Sequence, residues 1–302
     1  MKFLNFVHTD GPALGAQLAD GSIFNLSAAW DDGTALRSVD ALMQGGAAAL
    51  NTAARLITNA ESGAAKATRI PFDQTTVLPP VATTGRNIFC VGRNYREHII
   101  EGNIANGRPA HAFPEAIEFF TKPRTALVGH RGKVLRHSRL TDSLDYEVEL
   151  AIVIGKAGRD IQRADALSHV FGYTVLNDVT ARNLQKKHGQ WFKGKALDTS
   201  CPLGPVIAHA SAIANANQLD LELDVDGDIR QSDNTSDMLF DVATIIEQLS
   251  AGMTLECGDV IATGTPKGVG FAQTPPRCLQ VGQTVTARIR GIGALSNTIV
   301  ES

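Results

Sequence analysis

The chain has 302 residues, 43% of them hydrophobic and 20% charged, with a formal net charge of −3. That length supports one or two ordinary cores, and the near-neutral balance, with no basic stripe or acidic block, gives no electrostatic case for nucleic acid. No run approaches the ~18 apolar residues of a spanning helix, and Phe3–Val7, broken by Asn5, does not read as a signal peptide.

Cys90, Cys201, Cys257 and Cys278 are scattered without paired spacing. They read as thiols of a reducing cytoplasm and not as a zinc site or disulfide frame.

Lys2–Val7, Ala13–Leu18 and Ser22–Leu26 read as a small β-meander, turned at Asp10-Gly11-Pro12 and Asp20-Gly21. Two helical patterns follow, Ala35–Met43 and Ala47–Asn59, each closed by glycine. Pro79-Pro80 marks the expected boundary between a small N-terminal α+β domain, 1–75, and a larger domain, 76–302. Ile88–Gly92 is a buried-strand pattern, and Arg93–Glu101 reads as turn then helix. On that helix His98 and Glu101 stand three apart on one face. They are either a surface pair or an imidazole whose tautomer a carboxylate fixes, as a general base requires. Segment 102–117 is polar and aperiodic and reads as a lid. Phe119–Pro123 begins the next ordered stretch, where Lys122 is either solvated or functional.

The stretch on which the chain turns is Leu144–Leu150, running on to Gly155. It reads as one strand, so Glu147 and Glu149 share a face opposite Tyr146, Val148 and Leu150. Two carboxylates on one face of so apolar a strand require a cation between them. That cation is a neighbouring Lys or Arg, or a hard divalent metal selected by all-oxygen ligands.

Ala164–His169 reads as a short helix and Phe171–Asp178 as a strand. Asp178 is a third carboxylate or the N-cap of a helix Val179–Lys187. Arg182 and Gln185 share a face of that helix, and Lys186-Lys187-His188 reads as its solvated end. Lys195 precedes the apolar Ala196-Leu197. Leu219–Val225 alternates apolar and acidic residues and reads as a half-exposed strand, turned at Asp226-Gly227-Asp228, with the acids facing solvent. Asp241–Ser250 is an amphipathic helix. Val260–Thr263 leads into Gly264–Gly270, which fails the phosphate-loop pattern and reads as a backbone-rich pocket for an anion or carboxylate. Thr284–Ile289 and Leu295–Val300 are the last strands.

IFCVGRNYREH at 88–98, LDYEVELAIVIGK at 144–156, GYTVLNDVTARNLQ at 172–185, CPLGP at 201–205 and GDVIATGTPKGVG at 258–270 together resemble the fumarylacetoacetate hydrolase family. The likeness runs from about residue 75 to residue 302, towards its acylpyruvase-like and hydroxy-dienedioate isomerase-like members. The resemblance implies an α+β, mostly β fold, a mixed β-roll with flanking helices, and a homodimer. It implies Mg²⁺ or Mn²⁺ on Glu147, Glu149 and Asp178. His98 and Glu101 fall on the family's base pair and Lys195 on its active-site lysine. Arg93, Lys122, Gln185 and Thr265 fall among expected substrate contacts. The implied reaction is hydrolysis of a carbon–carbon bond in a 2,4-dioxo acid, with His98 activating water and Lys195 stabilising an oxyanion. Decarboxylation, tautomerisation or isomerisation of a 2-oxo acid uses the same groups. The expected partner is a small dicarboxylate or 2-oxo acid, with no nucleic acid and no membrane.

Overall fold

A computed structural model describes residues 1–30, 36–63, 69–82 and 86–301. The strands dominate. A twelve-stranded sheet runs in the order Arg69–Ile70, Ile23–Asn25, Gly11–Gln17, Lys2–His8, Cys201–His209, Val170–Asn177, Val148–Ile154, Val260–Ala262, Ile88–Gly92 and Glu118–Lys122, with two short strands paired off this path. A five-stranded sheet is built on the hairpins Asp220–Val225/Asp228–Asn234 and Thr284–Ile289/Gly293–Val300. The N-terminal meander joins the main sheet directly, since Lys2 and Phe3 pair with Ala208 and Ile207.

Val148–Ile154 is buried on both faces. Val148, Leu150, Ile152 and Ile154 enter one core with Leu223, Val285, Leu295 and Ile299 of the five-stranded sheet. Ala151 and Val153 enter a second core with Phe3, Leu14, Leu42 and Leu56 from the N-terminal segment. Glu147 and Glu149 continue that second series by the period of two, so a strand dictated by apolar burial carries two acids into the interior.

The expected single strand Leu144–Gly155 is interrupted. Leu144–Asp145 pairs separately with Thr180–Ala181, and the main strand resumes at Val148. The break has a physical cause. The N–H groups of Tyr146, Glu147 and Val148 go to the side chains of Asp145, Asn177 and Gln231 instead of a ladder partner.

The N-terminal helices are Val39–Gln44, capped by Ser38, and Gly46–Glu61; Ala35, the expected start of the first, lies outside the described residues. Arg96–Ala105 is helical, so the helix bearing His98 runs into the segment read as a lid. The helix expected over Val179–Lys187 starts only at Arg182, with Ala181 at its N-cap. Asp178 is therefore not its cap. Asp224, expected to face solvent, is buried and paired with Arg288. No helix among the described residues is long and apolar enough to cross a membrane.

Candidate metal centre and active-site cavity

Antiparallel pairing sets Val148 opposite Asn177, and the Asp178 N–H continues the ladder to the Glu147 carbonyl at 2.8 Å. Opposed residues share a sheet face. Register therefore brings Asp178 beside the two glutamates. A carboxylate oxygen from each of Glu147, Glu149 and Asp178 lies within 4.8 Å of the others, and all three residues are buried.

Cations surround this cluster. Lys195 Nζ lies 2.7 Å from Glu147 Oε2 and 2.6 Å from Asp178 Oδ2. Lys122 Nζ is 2.6 Å from Asp178 Oδ1 and donates also to the Val179 carbonyl. Arg182 reaches Glu147 Oε1 at 2.6 Å and Asp145 Oδ2 at 2.8 Å, with its guanidinium 4.4 Å from the Phe271 ring centre. The neighbouring-cation alternative left open by the sequence is thus realised for Glu147 and Asp178.

Glu149 is different, because no cation pairs with it among the described residues. Its Oε2 accepts the Gly264 N–H at 2.8 Å. Burial, and then the charges of Asp178 and Glu147, push its carboxyl well above the ordinary range. Burial would also raise Glu147, but Arg182 and Lys195 pull it well below that range. Burial alone would lower Lys195, yet Asp178 and Glu147 raise it to about 12, so it is a fixed cation. The buried acids Asp145, Glu147, Glu149 and Asp178 outnumber the cations Lys122, Arg182 and Lys195 that pair with them. Three convergent carboxylates with one acid lacking a counter-ion fit a hard divalent ion such as Mg²⁺ or Mn²⁺.

A cavity of about 440 Å³ opens over this cluster, and Glu147, Glu149, Lys195, Arg182, His98, Gln185 and Thr265 line it. His98 Nδ1 lies 2.9 Å from Glu101 Oε1, and Glu101 in turn accepts the Gly268 N–H with both oxygens. Lys195 reaches the acids because the Phe192–Lys195 turn packs tightly on Arg182–Lys187. A Cβ on Gly194 would lie 2.5 Å from the Gln185 backbone nitrogen.

Of the expected substrate contacts, Arg93, Gln185 and Thr265 line the cavity and Lys122, fully buried behind Asp178, does not. Arg93 does line it, but at a positive φ of 52° its guanidinium pairs with Glu118 and donates to the Ala112 carbonyl. Thr265 Oγ1 donates to the Val148 carbonyl and accepts from Gln231. Lys186, read as a solvated helix end, lines the cavity, as do Asn103, Asn106 and Arg108 of the segment read as a lid.

The Gly264–Gly270 loop does bind carboxylates, and they are the chain's own. Gly264 takes Glu149, Gly268 takes Glu101, and Gly270 with Phe271 takes Asp145. Asp145, Arg182 and Gln231 were missed as site residues. Asp145 had a signal, since it stands two before Glu147 in the same alternation. Gln231 had none, because it arrives from the other sheet.

Residues 87–300 match the family described as Fumarylacetoacetate (FAA) hydrolase C-terminal. The chain belongs to the fumarylacetoacetate hydrolase family. Oxaloacetate tautomerase YisK of Bacillus subtilis is 50% identical over 220 residues, 73% of this chain and 71% of its own. The solved fumarylacetoacetate hydrolase of Exiguobacterium antarcticum superposes with a TM-score of 0.84 at 39% identity, covering 100% of both chains. Maleylpyruvate hydrolase of Sphingobium sp. SYK-6, solved with manganese(II) and pyruvate, gives 0.77 at 30% identity, again over 100% of both. The chain's relatives thus include hydrolases and a tautomerase.

Proposed function

We propose that the chain is a divalent-metal-dependent enzyme that interconverts the enol and keto forms of a small 2-oxo dicarboxylic acid of the oxaloacetate type. The observation that carries this reading is the convergence on one cavity of three buried carboxylates, a histidine–glutamate pair and a buried lysine. The 50% identity to an oxaloacetate tautomerase supports tautomerisation over the hydrolysis that the sequence ranked first.

Glu147, Glu149 and Asp178 would hold Mg²⁺ or Mn²⁺, which when bound supplies Lewis acidity towards the oxygens of a 2-oxo acid. The remaining work falls to the chain. An ionised Glu101 can only accept hydrogen bonds, so it fixes the hydrogen of His98 on Nδ1 and leaves Nε2 to take and return a proton. That proton moves between the carbon next to the carbonyl and the enol oxygen. Lys195, held cationic by its two acids, stabilises negative charge that develops on oxygen. Arg182, stacked beside Phe271, adds a second fixed cation on the cavity wall.

Hydrolysis of a carbon–carbon bond in a 2,4-dioxo acid is the second reading. It is favoured by the same His98–Glu101 pair, which could equally draw a proton from water, and by the likeness to maleylpyruvate hydrolase. A homodimer and a cytoplasmic location complete the proposal. Sedimentation of the purified protein tests the first of these.

The deciding experiment follows disappearance of the enol absorbance of oxaloacetate, pyruvate release from oxaloacetate, and hydrolysis of acylpyruvates and fumarylpyruvate, with Mg²⁺ or Mn²⁺ and after prolonged dialysis against chelator. The proposal predicts metal-dependent ketonisation that falls about 10²–10⁴-fold in His98→Ala. Ketonisation at the solvent rate with rapid acylpyruvate hydrolysis would replace it with the second reading.

A further inference from the structure

A second cavity of about 620 Å³ lies where the N-terminal segment meets residues 78–82 and 124–127. Its volume falls within the roughly 300–1,000 Å³ of small-molecule sites. Pro12, Leu78, Val81 and Leu127 give it an apolar wall, and Arg37 and Arg124 line it as well. Neither guanidinium pairs with an acid or makes a side-chain hydrogen bond to any described residue. With no acid on either among the described residues, these two solvent-exposed guanidinium groups give the cavity wall a demand for an anion.

The one acid in the wall does not answer that demand. Asp40 turns both oxygens onto the Ala82 N–H, at 3.4 and 3.2 Å. The frame is also set in advance. Asn5, 6% exposed, accepts the Val39 N–H at 2.8 Å and donates to the carbonyls of Pro79 and Pro80 at 3.2 and 3.1 Å. One saturated side chain therefore holds three segments of the cavity together.

We propose that this junction is a second ligand site, for a small organic anion with a carboxylate or phosphate head and an apolar body. The planar guanidinium forks of Arg37 and Arg124 suit either head group in bidentate fashion, and the hydrocarbon lies against Leu78, Val81 and Leu127. The site bridges the two proposed domains, with Arg37 on one side and Arg124 on the other. Arg124 follows Lys122 by two residues, and Lys122 holds the metal-centre acid Asp178, so the site is covalently close to the catalytic cavity without sharing a residue with it.

The test is calorimetric titration of the full-length protein with phenyl phosphate, benzoate and inorganic phosphate. The phenyl compounds should bind the wild type, with inorganic phosphate weaker because it lacks the apolar body. The better of the two head groups names the source. Arg37→Ala/Arg124→Ala should weaken binding about tenfold or more per arginine, Arg37→Lys/Arg124→Lys less so, and Lys195→Ala should leave it unchanged. Circular dichroism checks that the variants are folded; both arginines are exposed, so they should be. The proposal is overturned if neither phenyl compound binds at millimolar concentration, or if the double alanine variant binds as the wild type does. Loss of binding in Lys195→Ala would assign it to the catalytic cavity instead. Dissociation of a dimer by the double alanine variant would make the cavity a contact between copies. Either result also overturns it.

Discussion

Lys195 is the residue on which the electrostatics of the centre pivot. It bridges Glu147 and Asp178 and lines the cavity. Lys195→Ala should lower turnover about 10²–10³-fold, the usual loss for one oxyanion donor, while divalent-ion binding persists on the three acids. Steady-state kinetics beside Mn²⁺ titration check both halves. Gln231 is the opposite kind of residue, one the chain uses for support. It is 1% exposed, accepts the Val148 N–H and donates to Thr265 Oγ1 and the Pro266 carbonyl. Gln231→Leu strands a buried N–H and a buried carbonyl, and should cost on the order of 3 kcal/mol, read from the denaturant midpoint. Glu147 and Glu149 were legible as a pair because alternation on a strand is a local rule, whereas Asp178 stood open between a third carboxylate and a helix cap until the family resemblance joined it to them. Gln231 was not legible, because its role exists only after the hairpin that carries it docks on the other sheet.

Among the elements, the Arg182–Lys187 helix and the Phe192–Lys195 turn are joined by a segment that presses Trp191 on the strand Ile88–Gly92. A Cβ on Gly92 would lie 2.1 Å from the Trp191 ring. Trp191 meets Phe120 edge-on at 5.5 Å, and the Phe120 ring centre is 5.0 Å from Lys195 Nζ. Gly92→Ala should therefore displace Trp191 and disturb Lys195 through Phe120. The expected outcome is a shifted tryptophan emission together with reduced turnover, and wild-type emission with wild-type kinetics would contradict the contact. Most strands were readable from apolar runs, and the break at Tyr146–Glu147 was not. Propensity favours an unbroken strand there, and only the side chains of Asp145, Asn177 and Gln231, two of them distant in sequence, overrule it. The start of the helix at Arg182 was misplaced for a similar reason, since Thr180–Ala181 is claimed by pairing with Leu144–Asp145.

At the scale of the whole molecule, the turn at 129–132 clasps the five-stranded sheet. Asn297 donates to the carbonyls of Gly129 and Gly132, and His130 Nδ1 accepts the Ser296 N–H at 3.1 Å. Burial, aided by the Arg131 charge, pushes His130 from 6.5 down to about 4. The unfolded chain therefore takes up this proton at higher pH than the folded one. The His130 contribution is complete above pH 6.5 and is lost as pH falls from 6.5 towards about 4. His130→Asn, which keeps an acceptor and does not titrate, should flatten the acid limb of the melting-temperature profile in that window. An unchanged limb would remove His130 as a cause.

The one sheet that runs through both proposed domains was not foreseen from composition, because Pro79-Pro80 looks like an end when read locally. The pairing of Lys2–Phe3 with Ala208–Ile207 spans most of the chain. The proposed chemistry depends on the three converged acids taking up an ion. Equilibrium dialysis of the full-length protein against Mn²⁺ measures this directly. One ion per chain, lost in Glu149→Gln and in Asp178→Asn with the fold intact, is the predicted result. No bound Mn²⁺, or equal binding in all three proteins, would contradict it.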